Sequence, residues 1–358
     1  MPKLDRLFRI LMEHKASDLH LEEWQKPKMR LHGAIREIPG EDVLTHAMIL
    51  ELLSEIVDEG GWERFKKTGD IDFAYSMGHD ARFRANYYRQ FYGLGAVFRH
   101  IPSKIVPLEK LDMPDTMKTF GEFQSGLVLI TGPTGSVKST TLASVIDYIN
   151  RHKVKKIITI EEPVEFIHTS QKSMMIHREV GLDTESFASG LKSAIKSDAE
   201  IILVGEMRDR ETIMLALTAA QMGILVFGTL HTNSAAKTID RIIDVFPMDQ
   251  KNQIRTVLAN TLQGAVSQQL LKSADGSRRW VAYEILLRSS ALGPIITEGD
   301  VSKLTSEMQT NRAKGMILMD DCLLELVKQG RVTKDDAFMK AVNKAGFMAR
   351  LGVGPAMV

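Results

Sequence analysis

A run of branched apolar residues, Leu127-Val128-Leu129-Ile130, ends at a turn holding Gly132 and Gly135, and the turn opens onto an apolar-periodic segment over residues 139–150. The run reads as a buried strand and the segment as a helix. A strand that feeds a glycine turn and a helix N-terminus aims successive backbone N–H groups at one point, with the helix dipole behind them. The stretch therefore predicts an anion-binding loop in an α/β sheet. Gly132-Pro133-Thr134-Gly135-Ser136-Val137-Lys138-Ser139 follows the phosphate-loop pattern G-x-x-x-x-G-K-[ST] except at Val137, where the pattern has glycine. Lys138 would bring a point charge to the outer phosphates of a nucleotide, and Ser139, with Thr140 after it, would bring a hydroxyl to Mg²⁺. If position 137 needs positive φ, an L-residue there costs about 1–2 kcal/mol and a β-branched one more, a five- to thirtyfold loss of the right loop shape. The expectation is a nucleotide site with weakened binding or turnover.

The surrounding pattern fits such a sheet. Strands at 127–130, 156–160, 201–204 and 225–229 alternate with helices starting near Ser139, Thr184 and Asp209. This predicts a mostly parallel sheet covered by helices, with ligands beyond the C-terminal strand ends. Three further motifs fall at those ends. Ile201-Ile202-Leu203-Val204-Gly205-Glu206 delivers Glu206, a candidate general base or water-mediated Mg²⁺ ligand, while Asp209 reads as the cap of the next helix. Thr159-Ile160-Glu161-Glu162-Pro163-Val164-Glu165 clusters carboxylates, of which Glu161 and Glu162 can serve a metal or water. Gly228-Thr229-Leu230-His231 places a histidine that can sense the terminal phosphate.

Residues 1–100 read as a small α+β domain, with strands at 17–22, 29–35, 72–75, 81–88 and 95–99 and a helix over 48–57 ended by Gly60-Gly61. Arg82, Arg84 and Arg99 alternate with apolar residues there and leave one face. Arginines so placed can neutralise phosphate charge in a neighbouring domain or subunit, or simply face solvent. Pro102, Pro107 and Pro114 mark a linker over 101–115. Residues 116–290 form the nucleotide-binding domain, with a further strand over 280–287. A helical region over 291–358 follows, including helices at 319–328 and 333–343.

Composition narrows the functional classes. A length of 358 residues suits two domains. A single cysteine, Cys322, excludes a disulfide framework and a cysteine-built zinc site, and it reads as a small core residue of a reduced, cytoplasmic protein. A net charge of +1 gives no argument for nucleic acid as a partner. Residues 1–14 are amphipathic but lack the apolar core of a secretion signal, and no stretch reaches membrane-spanning length.

Together these residues resemble the PilT/PilU family of type IV pilus retraction ATPases, within the secretion-ATPase superfamily. The resemblance runs over nearly the whole chain. It is carried by Ala16-Ser17-Asp18-Leu19-His20-Leu21, Arg82-Phe83-Arg84, Val97-Phe98-Arg99-His100-Ile101-Pro102-Ser103, the phosphate loop and the acidic box. Arg178-Glu179-Val180-Gly181, the strand ending at Glu206, Thr229-Leu230-His231-Thr232 and Gly315-Met316 complete it. It implies a PAS-like N-terminal domain, a RecA-like P-loop ATPase domain with a helical tail, and a homohexameric ring. In such a ring, ATP with Mg²⁺ binds between the domains, and arginines of the first domain reach the phosphates. The ring would sit in the cytoplasm at the inner face of the inner membrane, under the pilus platform protein, and drive pilin disassembly during twitching motility. Four departures stand out. Val137 replaces a glycine, Ile224 a histidine and Glu162 an aspartate. The segment Ala291-Leu292-Gly293-Pro294-Ile295-Ile296-Thr297-Glu298 lacks two arginines that retraction motors carry. These departures suit an alternative, a weakly hydrolysing accessory subunit that assembles with a paralogous retraction ATPase.

Overall fold

The computed structural model describes residues 2–31, 33–78, 81–101 and 104–352. His32, within the strand expected over 29–35, Pro102 of the linker, and residues 353–358 of the tail lie outside the described residues. The chain divides into two compact units: residues 1–104 with 162–167, and residues 105–161 with 168–358.

The first unit runs α1 (Asp5–Glu13), β1 (Asp18–Glu22), β2 (Lys28–Leu31), β3 (Ala34–Glu37), α2 (His46–Ser54), α3 (Glu59–Thr68), β4 (Asp70–Met77), β5 (Ala81–Gln90) and β6 (Gly93–Ile101). Its strands form one antiparallel sheet in the order β3-β2-β1-β6-β5-β4. Alternation along β5 buries Ala81, Phe83, Ala85 and Tyr87 and turns Arg82 and Arg84 to the opposite face. The buried face packs under α1, whose Phe8 ring stacks on Phe83 at 4.0 Å and meets Phe98 edge-on at 5.1 Å. The expected helix over 48–57 forms two residues early and stops at Ser54. Gly60 and Gly61 do not end it. They lie in the first turn of α3, because the Asp58 carboxylate accepts the Gly61 N–H at 2.5 Å and Phe65 supplies a buried anchor. A local cap outweighs the low helix propensity of glycine.

The second unit runs α4 (Thr116–Phe120), β7 (Gly126–Thr131), α5 (Lys138–His152), β8 (Lys156–Glu161), β9 (Met174–Glu179), α6 (Phe187–Lys196), β10 (Ile201–Val204), α7 (Arg210–Gln221), β11 (Leu225–Leu230), α8 (Ala235–Asp244), α9 (Met248–Thr261), β12 (Leu262–Lys272) and β13 (Arg279–Leu287). A helical tail follows: α10 (Leu292–Glu298), α11 (Leu304–Thr310), α12 (Met319–Lys328), α13 (Lys334–Lys340) and α14 (Lys344–Arg350). The sheet order is β13-β12-β7-β11-β10-β8-β9, parallel throughout except for the β12–β13 hairpin. All residues of β7, β10 and β11 are buried, as strands covered on both faces require. The helix expected near Thr184 starts at Phe187, capped by Ser186. Two strands escape the sequence reading. β9 is a polar edge strand. β12 is interior but hides its nature behind Ser267, Gln268 and Gln269, all buried and bonded internally. Cys322 is a core residue of the tail, and burial pushes its thiol up to about 11. Among the described residues no helix is long and apolar enough to cross a membrane.

Candidate active site

The parallel order β7-β11-β10-β8 brings the four motifs to one edge of the second sheet. Thr131 is level with Leu230, Gly228 with Val204, and Val204 with Ile160. The residues that follow, Gly132, His231, Gly205-Glu206 and Glu161, therefore leave the C-terminal strand ends side by side.

Gly132 begins the loop at φ +144°, where a Cβ would stand 2.3 Å from the Gln268 carbonyl oxygen. Strand β12 thus presses the loop into a shape that only glycine fits. Gly135 has φ +80°, and Val137 has φ +61° and ψ +28°. The valine adopts the left-handed conformation that the missing glycine would take freely, and it carries the strain expected of a β-branched side chain there. Pro133, Thr134 and Gly135 are exposed, Ser136 is buried, and Lys138, Ser139 and Thr140 lie half-buried in the first turn of α5. No side chain caps that helix, and the Ser136 hydroxyl is buried without a hydrogen-bond partner. The Lys138 ammonium donates to the Gly132 carbonyl at 2.7 Å and the Pro133 carbonyl at 3.2 Å, folding over the loop. Uncapped N–H donors, an orphaned hydroxyl and a nearby cation fit a polyphosphate.

Glu206 is mostly buried. The His231 Nε2 lies 2.9 Å from its Oε1, and the Arg208 Nη2 lies 2.6 Å from its Oε2. Burial works to raise the Glu206 pKa, but Arg208 and then His231 overcome it and hold the carboxyl below its ordinary range. The sequence paired Glu206 and His231 only by their shared sheet edge. Arg208 was missed as a partner, though it stands two residues on, beyond the end of β10. The Thr229 hydroxyl donates to the Gly205 carbonyl, and the Met207 N–H donates to the Thr229 carbonyl at 3.0 Å, stitching the ends of β10 and β11. Asp209 caps α7, accepting the Thr212 N–H at 2.9 Å and hydroxyl at 2.8 Å. Glu161 closes β8, and Glu162 begins the segment that belongs to the first unit. In that unit Arg82 donates to the Val164 carbonyl at 2.6 Å.

Arg84 and Arg99 stand directly opposite each other on β5 and β6, and Arg99 in turn faces Asp18 on β1. Asp18 takes Arg99 at 2.9 Å and Arg30 at 3.7 Å, while Arg84 pairs with the exposed Asp72 at 3.7 Å. Like charges directly opposite on a sheet repel, so this row is kept at a cost to stability. Among the described residues no group of three or more histidine, cysteine or acidic side chains could cage a metal ion.

A phosphate loop and an acidic strand end on one parallel sheet, with a smaller antiparallel domain before them, define a P-loop ATPase of the RecA-like kind. The sequence model of the type II/IV secretion system protein family matches residues 1–334. The type IV pilus retraction ATPase PilT of Pseudomonas aeruginosa is 46% identical over 338 residues, covering 94% of this chain and 98% of that protein. The type IV pilus ATPase PilU of the same organism is 34% identical over 352 residues, covering 98% and 92%. A crystal structure of the pilus retraction motor PilT with bound ADP matches with a TM-score of 0.90 at 39% identity, over 97% of this chain and 98% of that one. The chain belongs to the type II/IV secretion system protein family, as a PilT-like ATPase with an N-terminal domain, a RecA-like domain and a helical tail.

Proposed function

We propose that this chain is the ATP-hydrolysing subunit of a type IV pilus retraction motor, coupling hydrolysis to pilin disassembly. It works as a homohexameric ring in the cytoplasm, at the inner face of the inner membrane and against the pilus platform protein. The observation that carries the reading is the uncapped, glycine-shaped loop sharing one sheet edge with the Glu206–His231 pair. Gly132 to Val137 wrap the phosphates, with Thr134, Gly135 and Val137 offering backbone N–H groups, and Lys138 supplies their counter-charge. Mg²⁺ neutralises phosphate charge when bound. Ser139, followed by Thr140, and Glu206 through water would hold it, which suits an ion that keeps most of its own waters. Glu206, held below its ordinary pKa range chiefly by the Arg208 guanidinium, orients and deprotonates the attacking water. His231 links that carboxylate to the end of the neighbouring strand and senses the terminal phosphate. Glu161 and Glu162 hold water at the same edge, and Arg82, Arg84 and Arg99 offer charge to a polyphosphate from the first unit.

Steady-state phosphate release by the purified chain tests this. Lys138→Ala is expected to abolish nucleotide binding. Glu206→Gln is expected to keep binding and lose turnover by about 100-fold or more. Undiminished turnover in Glu206→Gln sinks the assignment of the base. The left-handed Val137 favours one second reading, an accessory subunit that turns over little by itself and modulates a paralogous ATPase. No turnover in the parent, with rescue by Val137→Gly, would select it.

A further inference from the structure

Strand β12 runs parallel to β7, with Ser267 level with Thr131 and their hydroxyls 2.8 Å apart. One residue further on, β12 reaches Gln268 and β7 gives way to Gly132, the start of the phosphate loop. Gln268 is fully buried, and it meets the loop at both ends. Its backbone carbonyl closes on Gly132, where a Cβ would stand 2.3 Å from the oxygen. Its side-chain amide crosses to α5, donating from Nε2 to the Thr141 hydroxyl at 2.9 Å and lying 3.6 Å from the Met113 sulfur. Thr141 is buried as well, and its backbone N–H donates to the Val137 carbonyl at 3.1 Å. That is the i→i−4 bond that ties α5 to the left-handed residue before it. A side chain on a neighbouring strand thus fixes the residue that holds Val137.

Packing alone does not account for a glutamine at this position. The Gln268 Oε1 is buried with no hydrogen-bond partner among the described residues. An amide that meets only part of its bonding capacity is a poorer core filler than methionine or leucine, because the unmet acceptor is desolvated without compensation. Its neighbours Ala265 and Val266 on the same strand are ordinary core residues. The bond that Gln268 does make falls where the chain needs holding. Val137 stands at φ +61° with no side-chain cap, and a β-branched residue left to itself relaxes out of that region. Bonding Thr141 from behind keeps the first turn of α5, which carries Lys138, Ser139 and Thr140, at a fixed distance from Gly132.

We propose that Gln268 is a positioning residue for the phosphate loop, holding the Val137 turn in its nucleotide-binding shape through Thr141. The inference rests on the nucleotide site proposed above, and the two fail differently. The test is titration of the full chain and its variants with a fluorescent ATP analogue, beside turnover at saturating ATP and thermal melting. Gln268→Met keeps the length of the side chain and removes the bond. It is expected to weaken nucleotide affinity about five- to tenfold. A loop that visits its binding shape less often lowers apparent affinity by that fraction and leaves the bound complex as it was, so kcat is expected within about twofold of the parent's. The melting temperature is expected within about 4 °C, because the unmet acceptor is removed together with the bond. Thr141→Val cuts the same contact from the other side, and the double variant is expected to lose no more affinity than the weaker-binding single variant. Parent-like affinity in Gln268→Met overturns the proposal. So do losses that multiply in the double variant, or a loss of affinity that only follows a fall in melting temperature. A parent that binds no nucleotide overturns the site itself, and the role of Gln268 with it.

Discussion

Val137 carries the most testable tension in the molecule. Its φ of +61° is the value a glycine would reach without strain, and no cap side chain relieves the turn. The strain is about 1–2 kcal/mol before the β-branch is counted, a factor of about 5–30 in the population of the binding shape. Val137→Gly is therefore expected to tighten nucleotide binding by that factor, read by titration with a fluorescent nucleotide. An affinity within twofold of the parent's would show that the fold carries the strain at no expense to binding. The glycine pattern foretold this position because one residue's φ is a local property. Arg208 was not legible in the same way. Its partnership with Glu206 depends on how the chain turns after β10, and spacing alone does not decide that.

At the scale of elements, caps decided what periodicity could not. Asp209 was legible as the N-cap of α7 because capping has a short-range signature, and the structure gives it both Thr212 donors. Asp209→Ala is expected to cost about 1 kcal/mol of stability while leaving nucleotide affinity unchanged, which separates a cap from a ligand. Burial works to raise the Asp209 pKa, and the Thr212 bonds outweigh it and hold it low. A depressed folded pKa means the contribution is complete above the unfolded value near 4 and is lost as pH falls through the folded one. The difference in melting temperature between parent and variant should accordingly shrink below about pH 4. Asp58 gives the contrary lesson. It too is a cap, but Gly60-Gly61 reads as a stop, and only Phe65 reaching the core shows that a helix begins there. β12 was hidden for a different reason. Its buried Ser267 and Gln268 look like surface residues until Thr131 and Thr141 are seen to take their bonds.

For the whole molecule, the alternation of strands and helices was enough to predict a parallel sheet with its motifs at one edge, because each connection in such a sheet is local. Whether arginines of the first unit serve a phosphate site is not a local matter. Arg84 is the cleanest probe of it. Among the described residues it pairs only with exposed Asp72, at 3.7 Å, worth less than about 1 kcal/mol, and removing it also relieves repulsion from Arg99. Arg84→Ala should therefore melt within about 2 °C of the parent. If Arg84 acts on phosphate in the transition state, its loss should still cut kcat by about 100-fold or more. An unchanged kcat removes Arg84 from the reaction. Mixing then asks whose phosphates it serves. Lys138→Ala subunits keep Arg84 but bind no nucleotide, and Arg84→Ala subunits bind nucleotide but lack the arginine. In a ring of head-to-tail contacts mixed at random, about a quarter of the interfaces pair an intact lysine with an intact arginine of the neighbour. Recovery of turnover on mixing two inactive variants, peaking near equal proportions, is expected if the arginine reaches across subunits. Assemblies that mix fully, as judged by subunit exchange, yet recover no activity would confine Arg84 to the chain that carries it.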